Sequence, residues 1–319
     1  MKKLLISFFF LLASFSLVLL FVYREAKPVS NDTSFKYFLI VKGTGASQVA
    51  NNLGKSGLLR SPILFKLYMR LTGLSQKIQA GQYKLSSSYS LFKTISEINK
   101  GPIEVWVTIP EGLRREQIAE KFINVLNPSD PEIFRSEFLD LSKGKEGYLF
   151  PDTYLFPWDA RPSLIVSKML TTFDAKIKDI TVSEIIVASL IERETLNDEE
   201  RPVVAGIIFK RLKNGWPLQI DATVQYASAT ERCKNRLSDC DWWQTVTKDE
   251  IGLTSRFNTY KYPGLPPSPI ANAGLTSLNA AMSPEESSFW FYLHDPSGAI
   301  HYAKTLEEHN LNISRYLGK

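Results

Sequence analysis

A long uncharged segment at the N-terminus constrains this chain more than any other feature. The run from Leu4 to Tyr23 holds no charged residue and is rich in Leu and Phe, and Lys2 and Lys3 precede it. A helix of about 20 apolar residues spans the hydrocarbon core of a bilayer, which is roughly 30 Å thick. The sequence therefore predicts a single membrane anchor within residues 1–25. Because basic flanks stay in the cytoplasm, the chain after Arg24 is expected across the membrane.

A cleaved signal peptide is the alternative interpretation of this segment. The apolar part of such a peptide is usually only about 7–15 residues and ends at a small-x-small cleavage site. Here the small residues Ala13, Ser14 and Ser16 are followed by further Leu and Val. The pattern favours a retained single-pass anchor in the plasma (inner) membrane, with a cytoplasmic N-terminus and an extracytoplasmic remainder.

The overall charge does not indicate a nucleic-acid partner. The net charge of +5 comes from 38 basic and 33 acidic side chains, and no block of clustered Lys and Arg stands out. Nucleic-acid binding proteins usually concentrate basic residues on one face or helix. The excess is mild, so it fits a slightly basic solvated surface and is compatible with an anionic polymer.

The two cysteines fit an extracytoplasmic location. Cys233 and Cys240 lie in the polar stretch ERCKNRLSDCDWW, and such a pair can oxidise outside the cytoplasm. A disulfide closing so short a loop stabilises a fold by roughly 2–3 kcal/mol, although two unpaired thiols are the alternative. Because His301 and His309 lack a third ligand nearby, no metal or cofactor is expected.

The segment after the anchor predicts a small αβ module over residues 35–103, preceded by a polar linker over 26–34. The expected elements are a strand from Phe35, helices over Ala46–Lys55 and from Ser61, a strand over Ala80–Leu85 and a helix over Ser90–Asn99. A strand–helix–helix–strand order resembles the LysM module, which binds glycans of cell walls containing N-acetylglucosamine. A plain packing domain is the alternative.

The stretch from Thr181 to Ala227 predicts two tightly connected helices. We expect the first to begin near Ser183 and to carry one apolar stripe, with Glu194 at the end of the stripe and Glu192 on the solvent side. Burial beside apolar residues raises the pKa of a carboxyl, and a general acid at neutral pH needs a raised pKa. An ion pair of Glu194 with Arg201 or another cation between packed helices is the alternative.

Four stretches in sequence order resemble the MltG family, the YceG-like endolytic murein transglycosylases. They are EGYLFPDTYLF at Glu146–Phe156, ASLIERETLNDEERPVVAGIIFKRLKNGWPLQIDATVQYA ending at Ala227, FNTYKYPGLPPSPIANAGLTSLNAA at Phe257–Ala281 and HYAKTLEEHN at His301–Asn310. The resemblance covers essentially the whole chain, although the loop between the cysteines has no close match. It implies an α+β fold with a catalytic domain over residues 104–319.

The resemblance also implies which residues form the site. The second glutamate of the E-x-E-T group is catalytic in this family, and that position is Glu194. The residues expected to line the substrate cleft are Gln219, Asp221, Asn258, Thr259 and Tyr260. For Asp221, a turn-capping role is the alternative.

The implied reaction is that of a lytic transglycosylase, a carbon–oxygen lyase acting on peptidoglycan. It cuts MurNAc–GlcNAc bonds within nascent glycan strands and leaves 1,6-anhydroMurNAc ends, with one carboxyl as acid and base. Peptidoglycan synthases are the implied protein partners. The alternatives are a hydrolytic muramidase with Asp221 as a second carboxylate, and a noncatalytic wall-binding scaffold.

Overall fold

The computed structural model describes residues 2–41 and 43–318, without the side chains of residues 2–7 and 10. The chain forms two compact units, Met1–Val107 with Tyr154–Asp159 and Thr108–Thr153 with Ala160–Lys319. Both strands and helices contribute, so the predicted α+β class is confirmed. The first unit includes β3, which lies just beyond the end predicted for the small module.

The first unit is a sheet covered by helices. Its elements are α1 (Lys2–Glu25), β1 (Phe35–Ile40), α2 (Ala46–Lys55), α3 (Pro62–Leu71), β2 (Gly81–Ser86), α4 (Leu91–Asn99), β3 (Glu104–Thr108) and β4 (Thr153–Pro157). The described strands form one sheet in the order β1-β2-β3-β4. β1 and β2 are antiparallel, from Phe35 opposite Ser86 to Ile40 opposite Gly81. The predicted strand–helix–helix–strand order is thus confirmed. That this module is LysM-like and binds glycan stays a prediction.

Local signals explain why these helices form where they do. The helix α3 begins with Pro62, whose missing N–H costs nothing in a first turn. The preceding Ser61 caps the helix, because its hydroxyl accepts a hydrogen bond from Leu64 N at 3.3 Å. The inward faces of α2 and α3 bury Leu53 and Phe65 completely, and this burial holds both helices on the sheet.

The segment over residues 26–34, predicted to be a linker, is fixed to the first unit. Leu91 N donates a hydrogen bond to Ala26 O at 3.0 Å, and the N–H groups of Val29 and Ser30 both donate to Ser87 O, at 3.1 and 3.2 Å. Ala26 is itself buried. The segment therefore belongs to the packed module rather than acting as a loose tether.

The N-terminal segment is one continuous helix, α1, and the side chains of Lys2 and Lys3 lie outside the described ones. Over the described part of the chain, no helix combines the length and hydropathy that a membrane crossing requires. The predicted anchor is therefore not confirmed and stays a prediction.

The second unit is mainly helical and ends in a small hairpin. Its elements are α5 (Arg115–Leu126), α6 (Pro131–Leu141), α7 (Pro162–Lys176), α8 (Val182–Glu194), α9 (Arg201–Lys213), α10 (Asp221–Arg232), α11 (Lys248–Ile251), α12 (Leu275–Met282), β5 (Phe291–His294), β6 (Ile300–Ala303) and α13 (Leu306–Asn312). The strands β5 and β6 are antiparallel, with Tyr292 opposite Tyr302.

The helix α8 lies at the centre of this unit and differs from the prediction. Every residue from Ile185 to Ile191 is buried, because α9, α10 and α12 all pack against it. The predicted one-sided stripe is thus wrong, since apolar contacts surround the helix. Its N-cap is Thr181 rather than Ser183, and a reciprocal capping box joins Thr181 to Glu184.

Cys233 and Cys240 are joined in a disulfide bond. Cys233 is fully buried and packs with Ala229 and Trp242 in a small separate cluster. The bond therefore ties the loop that follows α10 back to the end of that helix.

Candidate active site

Glu194 is the last residue of α8. The chain leaves the helix at Thr195, whose backbone is extended and whose N–H and hydroxyl both donate to Ile191 O, at 3.0 and 2.9 Å. The extended backbone of Thr195 ends the helix, so Glu194 lies just beyond the fully buried stretch Ile185–Ile191. The negative end of the helix dipole there disfavours an ionised carboxyl.

The carboxyl of Glu194 is enclosed by protein although the residue as a whole stays partly exposed. Burial raises the pKa of this carboxyl, and repulsion by Asp221 raises it further. The hydrogen bond from Tyr292 and the charges of His294 and Arg211 act in the opposite direction. The net direction is upward, which is what a proton donor at neutral pH requires.

A phenol holds one oxygen of this carboxyl. The hydroxyl of Tyr292, on β5, donates a hydrogen bond to Glu194 Oε2 at 2.9 Å. Burial raises the pKa of Tyr292 well above its usual value, and the negative charge of Glu194 adds to that effect. Tyr292 therefore stays protonated and remains a donor throughout the physiological pH range.

Asp221 and Tyr260 form a second carboxylate–phenol pair near Glu194. Asp221 is the exposed first residue of α10, and the Tyr260 hydroxyl donates to its Oδ1 at 2.6 Å. Burial, then Asp221, then Glu194 raise the pKa of Tyr260, so this phenol is close to both carboxyls. Two of the predicted cleft residues thus lie with Glu194.

Asn258 and Thr259 are buried and bond the protein's own polar groups. The Asn258 amide donates to Ile251 O and Leu253 O at 2.8 and 2.9 Å. The Thr259 hydroxyl accepts from Ile220 N at 3.0 Å. These contacts position the loop that carries Tyr260, while direct contact of the two side chains with substrate stays a prediction.

Gln219 lies between these groups with an exposed side chain. Its backbone has a positive φ of 53°, which is uncommon outside glycine and marks a tight turn. Its N–H donates to Thr259 O at 3.2 Å. The turn therefore fixes the start of α10, and the Gln219 side chain is free to meet a ligand.

Three residues near Glu194 were missed by the sequence analysis, namely Tyr292, His294 and Arg211. The first two lie on β5, a strand of only four residues. His294 is 3.0 Å from Glu200 Oε2 through its Nε2. Arg211, on α9, donates to Trp290 O at 2.9 and 2.6 Å and to Leu218 O at 2.6 Å. The aromatic run in WFYLH was the available signal for the strand, but nothing in it indicated a partner for Glu194.

Glu192 is not on the solvent side, so that prediction is wrong. Its Oε2 accepts from Gly274 N at 2.9 Å and from the Ser277 hydroxyl at 2.8 Å, because α12 covers this side of α8. Arg201 lies 3.6 Å from Glu192 Oε1. Arg201 thus pairs with Glu192 and not with Glu194. The alternative prediction, an ion pair between Glu194 and Arg201, is therefore wrong.

Comparison with known proteins shows which family the chain belongs to. The model of the YceG-like family matches residues 38–315. The chain belongs to the YceG-like family. Glu194 and its E-x-E-T group lie within the matched residues.

Relatives of the YceG-like family cover most of the chain. The endolytic murein transglycosylase of Bacillus subtilis (strain 168) is 30% identical over 93% of this chain and 90% of its own length. That of Streptococcus pneumoniae (strain R6) is 26% identical over 87% of this chain, which spans only 58% of the longer relative. The crystal structure of a YceG-like protein from Listeria monocytogenes matches with a TM-score of 0.57 and 26% identity, over 88% of this chain and 99% of that one.

Proposed function

We propose that this protein is an endolytic lytic transglycosylase that cleaves MurNAc–GlcNAc bonds in peptidoglycan strands and leaves 1,6-anhydroMurNAc ends. The observation that carries the proposal is the enclosed carboxyl of Glu194, whose pKa is raised by burial. Relatives that bear the name endolytic murein transglycosylase and align over most of the chain support it.

The proposed mechanism needs one carboxyl in two protonation states. Neutral Glu194 donates its proton to the glycosidic oxygen while the bond from that oxygen to C1 of the muramyl residue breaks. The resulting carboxylate then takes the proton of the muramyl C6 hydroxyl, whose oxygen bonds to C1. The proton count balances, because Glu194 ends as it began and no water enters. Activity is expected to fall as the pH rises through the raised pKa of Glu194.

The test is mass spectrometry of glycan fragments released from purified peptidoglycan by the full chain. Anhydro ends are expected from the wild type, and none above background from Glu194→Gln. Glu199→Gln, an exposed carboxyl in the turn that follows α8, is the matched control and should keep full activity. Release by Glu194→Gln at the wild-type rate contradicts the assignment.

A hydrolytic muramidase is the second candidate, and the closeness of Asp221 to Glu194 favours it. Hydrolysis uses a pair of carboxyls, about 5 Å apart in retaining and about 6.5–9.5 Å apart in inverting enzymes. Reducing MurNAc ends, each heavier by one water than the anhydro product, identify this reaction. If all new ends are anhydro ends, hydrolysis is excluded. If the wild type releases no fragments, both enzymatic hypotheses fail and the noncatalytic wall-binding scaffold is the one that is left.

We also propose that α1 anchors the chain in the inner membrane, with the N-terminus cytoplasmic and the chain after Arg24 extracytoplasmic. The support is the uncharged run from Leu4 to Tyr23 and the exposure of apolar side chains such as Phe9 and Leu17, at 71% and 67%. Protease added to spheroplasts should degrade everything beyond residue 26. Release of the intact chain by alkaline carbonate contradicts the anchor. Peptidoglycan synthases as partners stay a prediction.

We further propose that the first unit binds glycan, as its LysM-like order suggests. The support is a cavity of about 410 Å³ on this unit, lined by Tyr68, Leu74, Phe92, Ile95, Ser96, Asn99 and Lys100. Aromatic rings with nearby amides and hydroxyls suit sugars. Tyr68→Ala with Phe92→Ala should reduce co-sedimentation of the full chain with peptidoglycan, whereas Leu164→Ala on the exposed side of α7 should not. Equal sedimentation contradicts the proposal.

A further inference from the structure

Tyr292 is the group that contacts the carboxyl of Glu194 most directly. We propose that Tyr292 is a positioning residue, which holds Oε2 of Glu194 and leaves Oε1 as the oxygen that exchanges a proton with the sugar. The inference rests on the proposed function and assigns a task to a residue outside the family motif that marks Glu194.

The hydroxyl of Tyr292 is held rigidly in place. Its ring packs against the core of the second unit, and its backbone pairs with Tyr302 across the hairpin. Two residues before it, the Trp290 carbonyl accepts two hydrogen bonds from the partly buried guanidinium of Arg211. Because the strand is fixed on both sides, the hydroxyl has one position relative to the end of α8, 2.9 Å from Glu194 Oε2.

A fixed oxygen matters because the proposed reaction uses the carboxyl twice. The proton given to the glycosidic oxygen and the proton taken from the C6 hydroxyl pass through an oxygen that must face the sugar in both steps. Unless one oxygen is tied down, the carboxyl can rotate and present either. The phenol of Tyr292 itself gives up no proton, since it remains a donor to Oε2 before and after each step.

The same bond also contributes to the pH dependence, because it partly offsets the effect of burial on the pKa of Glu194. The groups that interact with Glu194 are Asp221 from α10, Arg211 from α9, Tyr292 and His294 from β5, Tyr260 from the loop before α12, and Arg193 beside it on α8. The Tyr292 bond favours the ionised carboxyl. Loss of this bond therefore keeps Glu194 protonated to a higher pH.

The test compares Tyr292→Phe with Tyr302→Phe in the full chain. Tyr302 lies opposite Tyr292 in the hairpin, so its variant removes a hydroxyl from the same sheet without touching Glu194. We expect Tyr292→Phe to lower kcat at least about tenfold with little change in KM. We also expect the alkaline limb of its pH profile to move upward by about one pH unit. Tyr302→Phe should move neither.

The outcomes separate this inference from the proposed function. If wild type releases no anhydro fragments, the proposed function fails. If wild type is active but Tyr292→Phe lowers kcat without moving the alkaline limb, the residue is merely structural and the inference is wrong. A second measurement avoids activity altogether. The carboxyl carbon of Glu194, assigned by Glu194→Gln, should titrate at higher pH in Tyr292→Phe by NMR, and an unchanged titration overturns the inference.

Discussion

Glu146 offers a quantitative test of how burial controls stability in this protein. Its Oε1 accepts from Arg115 N at 3.0 Å and from the Asn272 amide at 2.7 Å. Its Oε2 has no hydrogen-bond partner among the residues that the structure describes. Burial first, then repulsion by Glu116, raise the pKa of Glu146 from 4.5 to about 8. The carboxyl is therefore neutral in the folded protein at pH 7.

The sign of the effect follows from the raised pKa. Below pH 4.5 both the folded and the unfolded chain carry a protonated Glu146, so its contribution to stability is complete. As the pH rises towards 8, the unfolded chain loses this proton and the folded chain keeps it, which favours unfolding. Each pH unit in this window costs about 1.4 kcal/mol, so the free energy of unfolding at pH 7 is lower by about 3 kcal/mol from this group.

Glu146→Gln should abolish this loss. The amide keeps an oxygen that accepts the same two hydrogen bonds, and it is neutral at every pH. We expect the variant to equal wild type at pH 4 and to be more stable by about 2–3 kcal/mol at pH 7. Urea denaturation of the full chain at several pH values between 4 and 8 measures the difference.

The control is Glu137→Gln, which removes a carboxyl from the exposed side of α6. It should unfold in parallel with wild type across the whole range. If Glu146→Gln also runs parallel to wild type, the carboxyl of Glu146 is ionised in the folded protein and the reasoning from burial is refuted.

Three further outcomes are expected. Replacing Cys233 and Cys240 by Ser should lower the stability of the second unit by roughly 2–3 kcal/mol, and thermal denaturation of wild type with a reductant should show the same loss. Glu192→Ala removes one of the two carboxylates paired with Arg201 and the acceptor for Gly274 N and the Ser277 hydroxyl, and should cost about 1–3 kcal/mol in urea denaturation, with a smaller loss when Arg201→Met is added. Thr259→Val removes an acceptor of a buried N–H and should cost about 1–3 kcal/mol, whereas Thr259→Ser should stay close to wild type by the same measurement.

The sequence was sufficient for elements whose ends carry local chemistry. The predicted helix over Ala46–Lys55 coincides with α2, and the predicted starts of α3 and α4 lie within one residue of the observed ones. Ser61 with Pro62 fixes one start, and Ser90, whose hydroxyl accepts from Lys93 N, fixes the other. Such caps act over three or four residues, so a single sequence contains all the information they need.

Long-range contacts explain what the sequence did not reveal. Glu192 was assigned to solvent because periodicity along α8 cannot anticipate α12, which is separated from it by some 80 residues. Tyr292 was missed for the same reason, since its importance depends on β5 reaching the end of α8. Glu194 was found because its position in a motif and its position on the helix agree.

The fixed segment over residues 26–34 has a consequence for how this protein tolerates changes in length. Short polar stretches between modules usually accept inserted or deleted residues, because nothing depends on their spacing. Here two consecutive N–H groups, of Val29 and Ser30, converge on one carbonyl. An added residue would shift that alignment and pull buried Ala26 from its site. Tags and length variants are therefore better placed outside residues 26–34.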